Sequence, residues 1–108
     1  EFSLNSVIVL DPSEITLTEL AEILDCAKIV IVETGAAITN LLFCQKFTHI
    51  IEINPDGFEK DFWLSFALTL GLHHNSLTAE KARFGNKGQY IFPIEQTIKL
   101  INQIREAI

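Results

Sequence analysis

Residues 27–55 read AKIVIVETGAAITNLLFCQKFTHIIEINP, and the fold is decided there. Lys28 to Val32 is a β-branched apolar run, and Ile50 to Ile53 is a second. Gly35 follows the first run closely, and the small Ala36 and Ala37 let a helix begin near the strand end. Two strands joined by a helix make a parallel βαβ unit, because parallel neighbours need a crossover connection. A turn of this kind aims free backbone N–H groups at a helix N-terminus, which suits a phosphate.

Toward the N-terminus, Ser6 to Leu10 (SVIVL) reads as a further buried strand. Asp11-Pro12 ends it, since proline has no N–H for a ladder and restricts the residue before it. Thr16 and Glu19 have the spacing of a capping box. Leu17, Leu20, Ala21 and Leu24 then recur at helical spacing.

Toward the C-terminus, Ala36 to about Cys44 is apolar nearly all round and predicts a buried helix. Asn54 to Gly57 is a turn cluster. Phe58, Phe62, Trp63, Phe66, Ala67 and Leu70 share a helix face, and Gly71 stops that helix. Leu72 to Thr78 predicts a short strand and Ala79 to Gln89 a polar loop. Tyr90 and Phe92 are expected to re-enter the core. A last helix carries Ile94, Ile98, Ile101, Ile104 and Ile108 as its apolar stripe, with Leu100 to one side. The alternation predicts an α/β, three-layer Rossmann-like domain with a short parallel sheet, one domain over residues 1–108. Ligands of such sheets sit at the carboxyl ends of the strands. Here that rim comprises Asp11, Glu33 to Ala36, and Asn54 to Gly57.

Composition narrows the function classes. The 108 residues are 48% hydrophobic and 20% charged, which is globular rather than disordered. A net charge of −6 argues against broad binding of nucleic acid or anionic membrane. No apolar run is long enough to span a bilayer, and nothing reads as a secretory signal. The sequence holds no methionine, so a piece of a longer protein is expected. Cys26 and Cys44 are the only cysteines and are expected as buried free thiols, with a single disulfide as the alternative. A reducing, cytoplasmic setting fits them.

Several chemistries lack their residues. The dinucleotide fingerprint needs further glycines after Gly35, and none follows at the required spacing. There is no Walker-type lysine loop and no Gly-x-Ser-x-Gly turn. His49, His73 and His74 invite a metal reading, but adjacent strand histidines point to opposite faces, and no Asp-x-Asp pair occurs. Glu33 to Ala37 reads either as a phosphate cradle or as a plain βα turn. Thr39 and Asn40 are polar exceptions on their helix, facing a ligand or bonding neighbouring backbone. Glu52 sits inside an apolar strand, where a carboxylate must find a partner, reach solvent or shift its pKa. Near the rim it could accept hydrogen bonds from a ribose.

The segment Gly35-Ala36-Ala37-Ile38-Thr39-Asn40, then Leu41-Leu42-Phe43, then Ile50-Ile51-Glu52-Ile53 with Pro55, resembles the C-terminal half of glycosyltransferase family 61. This group includes capsular-polysaccharide-type proteins and the O-linked N-acetylglucosamine transferase of extracellular domains. Phe62-Trp63 to Leu72-His73 resembles the family's next helix, so the likeness spans roughly residues 14–80. The resemblance implies a GT-B-type transferase of glycan or capsular polysaccharide synthesis, whose C-terminal half holds a nucleotide sugar as substrate. Helix N-termini and side chains would steady the diphosphate, with no metal or other cofactor. It would place Thr34, Gly35, Ala36, Thr39, Asn40 and Glu52 at the donor pocket. An acceptor-binding N-terminal domain would be the missing partner. Thr34 departs from the family pattern, which has a histidine there. That departure favours a rival reading, in which a degenerate Rossmann-like domain serves protein interaction or assembly. A transferase half without its partner domain exposes apolar surface, so a homo-oligomer is an expected outcome of the first reading.

Overall fold

The computed structural model describes residues 7–33, 36–55, 61–80 and 91–107. Three parallel strands carry the fold: β1 (Ile29–Glu33), β2 (His49–Pro55) and β3 (His73–Ala79), in the order β1-β2-β3. Ile29 pairs with His49 and Glu33 with Ile53, while His49 pairs with His73 and Pro55 with Ala79. Helix α1 (Leu17–Cys26) precedes β1, and a 3₁₀ helix (Ala36–Phe43) connects β1 to β2. Helix α2 (Asp61–Thr69) connects β2 to β3, and α3 (Ile94–Ala107) follows. A parallel α/β, Rossmann-like arrangement is therefore present.

Strand alternation sorts the apolar side chains onto two faces. Ile50, with Val30 and Val32, packs against Leu41, Cys44, Phe66, Ala67 and Leu70 from the two connecting helices. Ile51 and Ile53, with Ile29, Leu77 and Ala79, pack against Leu100, Ile101 and Ile104 of α3. Both connections thus pack on one face of the sheet, and α3 covers the other.

The caps explain where elements begin and end. Thr16 Oγ1 accepts from the Glu19 N–H at 3.1 Å and donates to Glu19 Oε1, so this pair opens α1 as its spacing predicts. Gly71 has φ +75°. Its N–H donates to the Leu68 carbonyl, and the Leu72 N–H donates to the Ala67 carbonyl. That is a Schellman closure of α2, sealed by Leu72 and Ala67 in one apolar cluster.

Several expectations are corrected. Ser6 lies outside the described residues, and Val7 to Leu10 forms no strand; Val9 is 92% exposed. The connection after β1 is a 3₁₀ helix, and it is not apolar-buried all round. At three residues per turn, i and i+3 eclipse. Leu41 and Cys44 therefore face the core, while Thr39 and Leu42 face out. Asn54 and Pro55 continue β2 instead of opening a turn. The strand after α2 is a full seven-residue partner of β2. Phe92 is exposed, and Tyr90 lies outside the described residues, as do Phe58, residues 81–90 and Ile108. On α3 the inward face is Thr97, Leu100, Ile101 and Ile104, and Ile94 and Ile98 are exposed. Thr97 tolerates burial because its hydroxyl donates to the Pro93 carbonyl at 2.7 Å. Both cysteines are free thiols, but Cys26 is exposed and Cys44 half-buried.

Candidate functional site

Parallel strands end together, so Glu33, Pro55 and Ala79 mark one rim. Residues 34–35, 56–60 and 81–90, which come after those ends in the sequence, lie outside the described residues. Thr34 and Gly35 therefore lie outside the described residues. Ala36 opens the 3₁₀ helix; Thr39, one turn in, is exposed and Asn40 is half-buried. Asp11 accepts from the N–H and hydroxyl of Ser13, and those bonds hold its carboxyl below the usual range. In doing so it caps the short 3₁₀ helix Pro12–Glu14.

Glu52 is fully buried in the middle of β2, on the face shared by Ile50 and Asn54. Its carboxylate Oε1 lies 2.6 Å from Nε2 of His74, whose side chain is also buried. Asn54, likewise fully buried, donates its Nδ2 to the hydroxyl of Ser76. Both contacts are diagonal: Glu52 sits opposite Ser76 but bonds His74, and Asn54 sits opposite Thr78 but bonds Ser76. The result is a polar file along the β2–β3 seam, buried at Glu52, Asn54 and the His74 side chain and exposed at Ser76. Buried polar groups demand such partners, because lost hydration must be replaced by hydrogen bonds.

The sequence reading singles out Glu52 but names His74 only as a metal candidate and Asn54 only in a turn and rim, and it does not name Ser76. The signal was available. Setting HIIEINP beside HHNSLTA in parallel register puts Glu52, Asn54, His74 and Ser76 on one face.

A further cluster lies at the opposite end, where β2 and β3 begin. His49 and His73 stack with ring centroids 4.5 Å apart, and Phe47 leans on His73 at 5.9 Å. These two histidines edge an open concavity of about 490 Å³ closed on one side by Leu100 and Gln103. His73 and His74 do point to opposite faces of the sheet. Among the described residues no three His, Cys, Asp or Glu side chains gather as a metal site. Among the same residues no helix is long and apolar enough to cross a membrane.

Sheet, crossovers and rim define a Rossmann-like α/β protein of the kind that binds ligands at strand ends. Residues 2–51 match the family model described as Glycosyltransferase 61, so the chain is similar to that family through β1, the 3₁₀ helix and the start of β2. The match takes in Gly35 to Phe43 and ends before Glu52 and Pro55. Comparison with curated proteins and with solved structures gave no match.

Proposed function

We propose that this chain is the nucleotide-sugar-binding part of a metal-independent GT-B-type glycosyltransferase acting in glycan or capsular polysaccharide synthesis in the cytoplasm. The observation that carries the reading is the family match over residues 2–51, which falls on the β1–turn–helix unit where such sheets bind ligands. In this reading the backbone N–H groups from Thr34 to Ala36 take the diphosphate, and Thr39 and Asn40 supply side-chain hydrogen bonds. Glu52, buried against His74, orders the strand beside them. Transfer itself needs an acceptor-binding half and a base beyond these residues.

A thermal-shift titration with UDP, GDP, CMP and their sugar conjugates, with and without magnesium, tests it. Ligand that binds only the folded state raises Tm by mass action. A saturable, magnesium-independent rise with one nucleotide, lost in Gly35→Asp and Asn40→Ala, is expected. No rise with any nucleotide would sink the binding reading. It would favour the second reading, an assembly domain, to which the exposed Val7, Ile8, Val9 and Ile31 already lend support.

A further inference from the structure

We propose that His49 and His73 together form a binding site for a late divalent transition metal, zinc or copper, where β2 and β3 begin. The two residues are register partners on adjacent parallel strands, on the sheet face that α3 covers. Their imidazoles stack with centroids 4.5 Å apart and planes 19° from parallel. Phe47, with its ring 5.9 Å from that of His73, touches the same pair. The sheet thus holds two metal-ligating side chains as neighbours before any ion arrives, which lowers the ordering cost of binding.

The pair is free to ligate, and His74 is not. Among the described residues neither His49 nor His73 makes a side-chain hydrogen bond or ion pair, whereas Nε2 of His74 is taken up by Glu52 on the other face. A neutral imidazole keeps one nitrogen with a lone pair, so the stack offers two such nitrogens side by side. Zinc and copper bond imidazole nitrogen at about 2.0–2.1 Å, so the two nitrogens must come within about 3–3.5 Å of each other. Rings already 4.5 Å apart reach this by tilting toward one another. His73 is exposed and His49 half-buried, which leaves them room to tilt. The open concavity of about 490 Å³ that both rings edge gives water access to the remaining positions of the ion. Imidazole suits zinc and copper, while magnesium prefers oxygen. The net charge of −6 favours a cation there. The strand ends proposed to serve the nucleotide lie about 20 Å away along seven-residue strands. The metal site is therefore separate from them, and it does not rest on that reading. A bound ion clasps β2 to β3 at their entry.

Zinc titration of the whole 108-residue chain tests this, without a polyhistidine tag and with Cys26→Ser so that the exposed thiol does not compete. Calorimetry is expected to give one zinc per chain, and NMR of the imidazoles to show His49 and His73 perturbed and His74 unmoved. Copper in place of zinc is expected to give an electron paramagnetic resonance spectrum split by two ring nitrogens. Magnesium is expected to leave the imidazole resonances unchanged. His49→Gln and His73→Gln should each weaken zinc binding at least about tenfold, since even changes behind a ligand cost that much. Circular dichroism in EDTA checks that the variants fold, and the spectra of the unaltered histidines decide the matter if one does not. Absence of zinc binding overturns the proposal, as does zinc binding that leaves His49 and His73 unperturbed or survives in either folded variant. One zinc per two chains, with a dimer by sedimentation, also overturns it, because the ion then lies between copies.

Discussion

Nε2 of His74 lies 2.6 Å from Oε1 of Glu52, with the two side chains 5% and 0% exposed. A carboxylate so far from water depends on its partner. His74→Ala is expected to cost about 1–3 kcal/mol, because it removes the hydrogen-bond partner of Oε1 at a site closed to water. Replacing both residues by leucine should restore most of that loss, since an apolar pair of similar volume avoids the desolvation cost. Urea denaturation of the three variants checks the ordering. The double variant also separates roles: if it is stable and keeps the nucleotide-induced shift, the pair serves the sheet alone.

Phe47 and Gly71 form a second coupled pair, where the chain enters β2 and β3. Both have positive φ, +70° and +75°, and the Phe47 N–H donates to the Gly71 carbonyl at 2.8 Å. A Cβ at Gly71 would come only within 3.4 Å of the Lys46 side chain, so the backbone, not space, penalises substitution. Gly71→Ala is expected to cost about 1 kcal/mol, a fall of about 4–8 °C in Tm. Phe47→Gly should be nearly neutral, within about 0.5 kcal/mol, because relief of the left-handed backbone offsets the lost ring contact. Calorimetry on the two variants distinguishes them.

The periodic segments were legible in the sequence, and the failures have physical causes. The Thr16–Glu19 cap, β1, β2 and the Gly71 stop all follow from local chemistry that acts within a few residues. Val7–Leu10 has a strand's composition, yet a strand exists only when a neighbour completes its ladder, and composition does not report the neighbour. The α3 stripe was misplaced because Ile94 and Ile98 share helical spacing with Ile101, while the buried Thr97 hides its hydroxyl in a backbone bond. Glu52 stood out at once as a charge in an apolar run. Its partner needed the register between β2 and β3, which no single segment contains.

The two thiols should differ in reactivity. Burial pushes the Cys44 thiol up to about 11, whereas Cys26 is exposed. The thiolate is the reactive form, so at pH 8 only roughly a thousandth of Cys44 is available. Iodoacetamide at that pH is expected to label Cys26 well before Cys44 in the folded chain, and both equally in urea. Peptide mass spectrometry over a time course reads the order. Equal rates in the folded chain would contradict the packing of Cys44 against Leu41 and Ile50.

The stacked imidazoles of His49 and His73 make stability depend on pH. Burial, and then the charge of His73, holds His49 below its ordinary 6.5. The unfolded chain therefore takes up a proton at His49 more readily than the folded one. By linkage, stability must rise with pH across the window between the lowered folded value and 6.5. Read downward, the folded state loses ground as pH drops below the unfolded value, and the loss is complete once the folded His49 is also protonated. Denaturation midpoints at pH 7.5 and 5.5 are expected to show a fall in the unaltered chain and a shallower fall in His73→Gln, which keeps a polar group but removes the like charge. An unchanged slope in His73→Gln would mean that the stacking geometry, though close, carries no repulsion, and that burial alone sets the behaviour of His49.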